Sequence, residues 1–302
     1  MKFSKNMKKN KKTILVTGGA GFIGSHLIER LLKDSDNRVI SLDNYFTGSI
    51  DNHIEGAEYI KGETKDIENL IKDIPDIIYH LGEYSRVLTS FDDINIVLRF
   101  NVQGTFEVLE FCRKNNIRLI YAGSSTKFGE FDDTEDGKNQ TPYSYFKSTN
   151  TDLINNYGKW FNLNYAITYF YNVYGGREIR EGKYATLIGI FTRKYLNREA
   201  LGVVSPGTQK RTFTHIDDIV DGIILVGEKG IGDGYCIGAE KEYSILEIAK
   251  IFGGEVEMLP KKRGDRKYSK INPVKMSGLG WSPKRNILDY IDEIKGKLGQ
   301  TT

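Results

Sequence analysis

The stretch Thr17-Gly18-Gly19-Ala20-Gly21-Phe22-Ile23-Gly24 constrains this chain more than any other. It follows an apolar run, Ile14-Leu15-Val16, that reads as a buried parallel strand. It precedes Leu27, Ile28, Leu31 and Leu32, which fall on one face of a helix. Gly18, Gly21 and Gly24 are three apart. Between strand and helix, one such glycine makes the tight turn, one admits a pyrophosphate to the backbone, and one lets helix and strand pack closely. The helix N-terminus then offers unpaired N–H groups and a positive dipole end to phosphate. A second strand, Val39-Ile40-Ser41-Leu42, ends in Asp43, 19 residues after Gly24. A carboxylate there accepts ribose hydroxyls. The pattern is that of a dinucleotide site.

Short apolar runs then alternate with helical stretches. Strands are expected at 13–17, 38–42, 57–60, 76–79, 117–122 and 164–170, with helices at 22–34, 66–73, 93–115 and 142–162. This alternation predicts an α/β fold: a Rossmann-type doubly wound parallel sheet with helices on both faces. In such sheets ligands bind at the carboxyl ends of strands. Gly18, Asp43, Glu63, Leu81-Gly82 and Ser124 all fall there. Beyond about residue 173 the rhythm changes. A helix (184–198), a short strand (201–204), a turn at Ser205-Pro206-Gly207 and a helix (216–228) follow. Tyr235 to Ile237 is expected to return to the main sheet, and a helix over 286–298 closes the chain. We therefore expect residues 13–173, with segments near 213–238, to bind the dinucleotide. Residues 174–302 should form mainly a smaller α/β substrate-binding lobe.

The chain has 302 residues, enough for one large domain or two interlocked ones. No apolar run approaches the ~20 residues that a membrane helix needs, so no membrane partner is expected. Met1 to Lys12 is a basic tail, expected to be disordered, without the apolar stretch of a signal peptide. Without its six lysines the formal charge of +3 becomes −3. The basic balance thus belongs to the tail, and no nucleic-acid surface is expected. Cys112 and Cys236 lack metal-type spacing and read as free thiols suited to a reducing cytoplasm. The four histidines are scattered, and no metal site is expected.

The chemistry is carried by Pro142-Tyr143-Ser144-Tyr145-Phe146-Lys147, which opens a helix. Tyr143 and Lys147 are four apart and share a helical face. A free phenol, with a pKa of about 10, is a poor base at neutral pH. An ammonium one turn away favours the phenolate, which makes Tyr143 a candidate general base for a sugar or alcohol hydroxyl. Upstream, Tyr121-Ala122-Gly123-Ser124-Ser125 closes a buried strand with hydroxyls. A Ser124 hydroxyl across the groove from Tyr143 can bind the same substrate oxygen.

Taken together, these motifs resemble the extended short-chain dehydrogenase/reductases of the nucleotide-sugar epimerase and dehydratase group, over about residues 13 to 298. The resemblance rests on the glycine stretch, Ser124 through Gly129, Tyr143 with Lys147, and Tyr171-Asn172-Val173-Tyr174-Gly175. It rests also on Gly207-Thr208-Gln209-Lys210-Arg211-Thr212-Phe213-Thr214-His215-Ile216-Asp217-Asp218, which is specific to the sugar-handling branch. It implies NAD as cofactor, held by Gly18, Gly21, Phe22, Ile23, Gly24, Asp43, Asn44, Glu63, Thr64, Leu81, Gly82, Asn101, Lys147 and Phe170. Lys147 would hold the nicotinamide ribose. A carboxylate at Asp43 would repel a 2′-phosphate, so NAD is favoured over NADP. The resemblance also implies a nucleotide-diphosphate sugar substrate. Ser125, Thr126 and Val204 would border it, and Asn172 and Arg211 would bind its diphosphate.

The chain departs from the group at four places. Glu63 stands where Asp is usual for the adenine amino group. Phe128 replaces a tyrosine, and Tyr169 replaces an arginine. The usual Arg-Pro-Gly-Asp appears as Lys262-Arg263-Gly264-Asp265, so either Lys262 or Arg263 could meet the diphosphate. Counting four from Asp265 gives Ser269, a small residue at the position that borders the sugar's 2-substituent.

Dehydratases of the group carry an Asp-Glu pair after the catalytic hydroxyl residue. Here that pair is Ser125-Thr126, which cannot supply a second acid and base. Decarboxylases place Glu where Thr126 stands. These absences favour C4 epimerisation, with C4 dehydrogenation and release of the keto sugar as the alternative. A non-catalytic NAD-binding role is weakened by the presence of Ser124, Tyr143 and Lys147. The resemblance further implies a homodimer through helices 93–115 and 142–162, with Val102, Phe106, Leu109 and Phe111 as apolar material. It also implies a place in surface polysaccharide or glycoconjugate precursor synthesis.

Overall fold

The computed structural model describes residues 12–130, 141–261, 268–269 and 271–299. Seven parallel strands form the central sheet: β1 (Lys12–Thr17), β2 (Asn37–Asp43), β3 (Glu58–Lys61), β4 (Ile77–His80), β5 (Arg118–Ser124), β6 (Tyr165–Phe170) and β7 (Gly232–Ile237). Their order across the sheet is β7-β6-β5-β4-β1-β2-β3. The order reverses between β1 and β4, and the crevice at that switch point is where such sheets bind ligands.

The inner strands are buried on both faces, so their residues divide by parity. Leu15 of β1 joins one core with Ile40, Ile78, Leu119 and Ile167, covered by Val108 and Phe111 on one helix and Ile154 on another. Ile14 and Val16 join the opposite core with Val39, Ile77 and Ile120, covered by Leu27 and Ile28 and by Ile219, Val220 and Ile223. The covering helices are Gly104–Asn115 and Pro142–Phe161 on the first face, Phe22–Leu31 and Ile216–Lys229 on the second. Tyr235 to Ile237 pairs with Thr168 to Phe170 in β6, so this late segment does return to the main sheet. A third core, including Ile188, Phe191, Val203, Phe213, Ile248 and Phe252, holds the smaller lobe together.

Two differences from the expected elements matter for the site. The helix expected over 93–115 is broken by a π-turn at Leu98–Gln103, between Ile94–Val97 and the long helix. Such turns widen a helix locally and accompany functional sites. The helix expected at 66–73 shortens to Ile67–Leu70, preceded by a 3-10 turn. Helix Ile245–Phe252, not among the expected elements, starts at a capping box formed by Ser244 and Glu247 and buries Ile248, Ala249 and Phe252. The basic tail through Lys11 lies outside the described residues, and Lys12 already belongs to β1.

Candidate active site

The glycine turn is shaped by close approach. Gly18 has φ +72°, and a Cβ there would stand 2.9 Å from Gly82 Cα. A Cβ on Gly24 would lie 2.1 Å from Gly18 O, so the helix can enter the turn only without one. Gly21 caps that helix with no side-chain partner, and its first turn holds no acid. The first N–H groups are therefore offered to an anion. At the end of β2, Asp43 Oδ2 accepts from Ala20 N (2.9 Å) and Oδ1 from Tyr45 N (2.7 Å). Burial pushes its carboxyl upward and the two N–H donors pull it back. This ties the acid to the glycine turn.

A cavity of about 940 Å³ runs from this turn to the smaller lobe. Gly18, Gly21, Phe22, Ile23 and Gly24 line it at one end, with Asp43, Asn44 and Thr64 beside them. Leu81, Gly82 and Phe170 line its middle. Ser124, Ser125, Thr126, Tyr143 and Lys147 follow, then Asn172 and Val204. An elongated cleft with a phosphate cradle at its neck and a ribose acceptor beside it fits NAD.

Tyr143 is placed by a strong helix start. Thr141 and Ser144 form a capping box around Pro142, which is suited to the first helical turn. Tyr143 N donates to Ser90 Oγ (3.3 Å), and its ring packs with Tyr84 and Val97. Ser124 Oγ and Thr126 Oγ1 are 2.9 Å apart, so the two hydroxyls share a proton donor–acceptor link at the end of β5. Lys147 Nζ donates to Ala122 O (2.5 Å), lies 4.8 Å from the Tyr121 ring centroid, and pairs with Glu83.

Three expected residues stand elsewhere. Glu63 is held by Arg99, Nε to Oε2 at 2.7 Å, and is off the cavity wall. The Arg99 guanidinium takes the carboxylate that was expected to meet the adenine amino group. Asn101 is fully buried on the π-turn and also off the wall. Its side chain accepts from Tyr84 N (2.8 Å) and donates to Tyr84 O (3.0 Å). It shapes the loop after β4. Arg211, on the strand Lys210–Thr212, donates from Nη1 to Lys210 O (2.8 Å) and does not line the cavity, although Phe213 does. Ser269 pairs with Gly129 in a short antiparallel ladder, which brings its backbone beside the Ser124–Gly129 segment. Lys262, Arg263 and Asp265 lie outside the described residues.

Sequence reading missed Glu83, Arg86 and Glu178. Glu83 lies three residues past the end of the buried strand β4, in the region where ligands bind, and that position was the available signal. Arg86 lines the cavity. Its Nε donates to Tyr184 O (2.6 Å) and its Nη1 to Ser85 O (3.1 Å), while burial pulls its guanidinium pKa down. Glu178 accepts from Thr186 Oγ1 (2.7 Å) and Gly175 N (3.2 Å), and burial pushes its carboxyl up to about 7. Asp93 joins the two loops over the sugar end, accepting from Lys183 (2.7 Å), Tyr84 (2.9 Å) and Tyr184 (3.1 Å).

A polar chain also crosses under the cavity. Thr17 Oγ1 accepts from Leu81 N (3.1 Å) and Gly82 N (2.9 Å), so its own proton goes to His80 Nδ1 (2.7 Å). Burial pulls the His80 imidazole down to about 4, which leaves it neutral at pH 7. Its Nε2 therefore carries the proton and donates to Thr105 Oγ1 (3.0 Å), which donates to Glu83 Oε1 (2.8 Å).

A family model described as the NAD dependent epimerase/dehydratase family matches residues 14–238. The chain belongs to this family. It is 30% identical to a putative UDP-glucose 4-epimerase of Methanocaldococcus jannaschii, over 93% of this chain and 96% of that protein. It is 30% identical to UDP-glucuronic acid decarboxylase 6 of Arabidopsis thaliana, over 93% of this chain and 86% of that protein. The crystal structure of UDP-glucuronic acid 4-epimerase from Bacillus cereus, in complex with UDP-glucuronic acid and NAD, matches with a TM-score of 0.82 at 26% identity. That match covers 96% of this chain and 100% of that one. The protein is thus an enzyme of the extended short-chain dehydrogenase/reductase type, and NAD is its cofactor. No helix among the described residues is long and apolar enough to cross a membrane.

Proposed function

We propose that the enzyme is a nucleotide-diphosphate-sugar C4 epimerase. The observation that carries this reading is the inventory of acids on the cavity wall. Among the described residues only Asp43 and Glu83 bring a carboxylate there. Asp43 accepts two backbone N–H groups at the ribose end, and Glu83 pairs with Lys147. Positions 125 and 126 hold hydroxyls. Elimination of water across C5 and C6 needs a further acid and base, which this wall does not offer.

Bound NAD supplies the hydride acceptor and donor at C4. Tyr143 takes the proton from the sugar O4 as the hydride leaves and returns it when the hydride comes back to the other face. Ser124, linked to Thr126, holds the same oxygen. Lys147 binds the nicotinamide ribose. Asn172 and Val204 border the nucleotide, and Ser269 borders the sugar's 2-substituent. The 30% identical archaeal relative, named as a putative UDP-glucose 4-epimerase, supports the reaction class.

The enzyme should act as a homodimer. Ile94, Leu98 and Phe106 on one helical run, and Tyr145, Trp160 and Phe161 on the helix Pro142–Phe161, are exposed. Leu109 and Phe111, expected to contribute, are buried in the core of the subunit. Light scattering checks this directly, and a monomeric mass refutes it.

The reaction is tested with purified protein, no added cofactor, and UDP-N-acetylglucosamine, UDP-glucose, UDP-glucuronic acid and GDP-linked sugars. Proton NMR of the sugar and absorbance of reduced nicotinamide are followed together. An inverted C4 centre with no lasting absorbance is expected. Absorbance stoichiometric with enzyme, stopping after one turnover and restarted by an added keto acid, establishes C4 dehydrogenation instead.

A further inference from the structure

Glu83 stands between Gly82, on the cofactor groove, and Tyr84, on the loop over the sugar end. Its side chain is 2% exposed, and that of Lys147 is 6% exposed. Four groups donate to it. Thr105 Oγ1 (2.8 Å), Tyr121 OH (3.0 Å) and Asn150 Nδ2 (3.0 Å) reach Oε1, and Lys147 Nζ reaches Oε2. A buried carboxylate is costly unless paired and hydrogen-bonded, and the fold surrounds this one with donors from three separate elements, the helix Gly104–Asn115, the strand β5 and the helix Pro142–Phe161. Lys147 has three N–H groups. One goes to Glu83 and one to Ala122 O, which leaves one for the cavity.

We propose that Glu83 is a positioning residue for the cofactor. It fixes the Lys147 ammonium and cancels its charge beside the nicotinamide ribose, so that the protein holds oxidised NAD in preference to reduced. The inference rests on the placing of Lys147 at that ribose and on no particular sugar reaction. The nicotinamide ring is cationic when oxidised and neutral when reduced. An uncompensated ammonium beside it repels only the oxidised form. His80, the next titratable group along the polar chain, is neutral at pH 7 and does not cancel Lys147. Arg86 and Lys183 also line the cavity, on the loops at the sugar end, so Glu83 is the acid that offsets the cation nearest the ribose.

The test measures dissociation constants for NAD and for NADH with cofactor-stripped protein. It uses the wild type, Glu83→Gln, Lys147→Met and the double variant. Glu83→Gln is expected to weaken NAD at least roughly tenfold more than NADH, the scale of a unit charge about 12 Å away at an effective dielectric near 20 and a lower bound for a closer one. Lys147→Met should move the ratio the other way, and the double variant should restore it. A purely structural role weakens both nucleotides equally, and an unmoved ratio in Glu83→Gln overturns the proposal. Should Glu83→Gln not fold, the ratio in Lys147→Met decides by the same rule, and Glu83→Asp, which keeps the charge, should stay near the wild type. Failure of every sugar to react leaves this result intact, so the two readings fail separately.

Discussion

A single added methyl group should separate the two roles glycine plays in this chain. In Gly24→Ala the new Cβ meets Gly18 O at 2.1 Å and Gly19 Cα at 2.8 Å. Both neighbours are backbone, so no side chain can turn away. Reaching ordinary contact requires the helix Phe22–Leu31 to retreat by roughly 1 Å from the turn, in an interior packed too densely to absorb it. Gly18 O also accepts from Gly21 N (3.1 Å), so the retreat opens the phosphate cradle. Overpacking of this kind costs about 1–3 kcal/mol, or a fall in Tm of several degrees at roughly 2–4 °C per kcal/mol. NAD should bind at least tenfold more weakly. Gly296→Ala is the matched control. Gly296 is exposed near the end of the helix Ile287–Gly299, and its added Cβ meets nothing within 4 Å. There the substitution should stabilise by up to about 0.5 kcal/mol through helix propensity and leave NAD affinity unchanged. Thermal melts with and without NAD, with a binding titration, read both effects. A Gly24→Ala protein with wild-type Tm and NAD affinity within twofold would refute the reasoning.

Tyr143→Phe should lower kcat by roughly 10²- to 10⁴-fold while NAD affinity stays within twofold. Unchanged turnover would remove Tyr143 from the chemistry. Asp43→Asn should narrow the preference for NAD over NADP by roughly tenfold, read as a ratio of dissociation constants, because the carboxylate no longer repels a 2′-phosphate. Burial pushes the Glu178 carboxyl up to about 7, from an ordinary value of 4.5. It binds more protons folded than unfolded between those values, so its contribution is present below about 4.5 and lost as pH rises through 7. The loss amounts to at most about 3 kcal/mol. Urea unfolding between pH 5 and 8 should show that slope in the wild type and a flatter one in Glu178→Gln.

The parts of the site that were legible in the sequence are those encoded by short-range spacing. Gly18 to Gly24 must lie between a strand and a helix to do their work, and both flanks announce themselves. Tyr143 and Lys147 are bound by one helical turn. Asp43 is legible because it ends an apolar strand at a fixed distance from the glycines. Glu83 is not legible, since its meaning depends on Thr105, Tyr121, Lys147 and Asn150, which are brought to it from 22 to 67 residues away. The same holds for Glu63, whose side chain is decided by Arg99, 36 residues on. Helix Ile245–Phe252 is the opposite case. Its Ser244 and Glu247 are a readable capping box, and Ile245, Ile248, Ala249 and Phe252 recur at helical spacing, so both of its signals are local.

The chemical reading depends less on the presence of Tyr143 than on what the cavity's acids already do. Inversion at C4 moves one proton off O4 and back to the same oxygen, so one phenol in reach suffices. Dehydration or decarboxylation asks for more: a group that protonates a leaving oxygen, or one that handles a second proton at carbon. Glu83 meets the right depth in the cavity for such work, but its two oxygens already accept four donors, one of them the ammonium of Lys147. Freeing it would strand that ammonium in a dry site at a cost of several kcal/mol. The pairing that steadies Lys147 therefore also withholds the second acid, and the wall that remains, hydroxyls at Ser124, Ser125 and Thr126 lining the same cavity as one phenol, is suited to a reaction that returns its proton to the oxygen it came from.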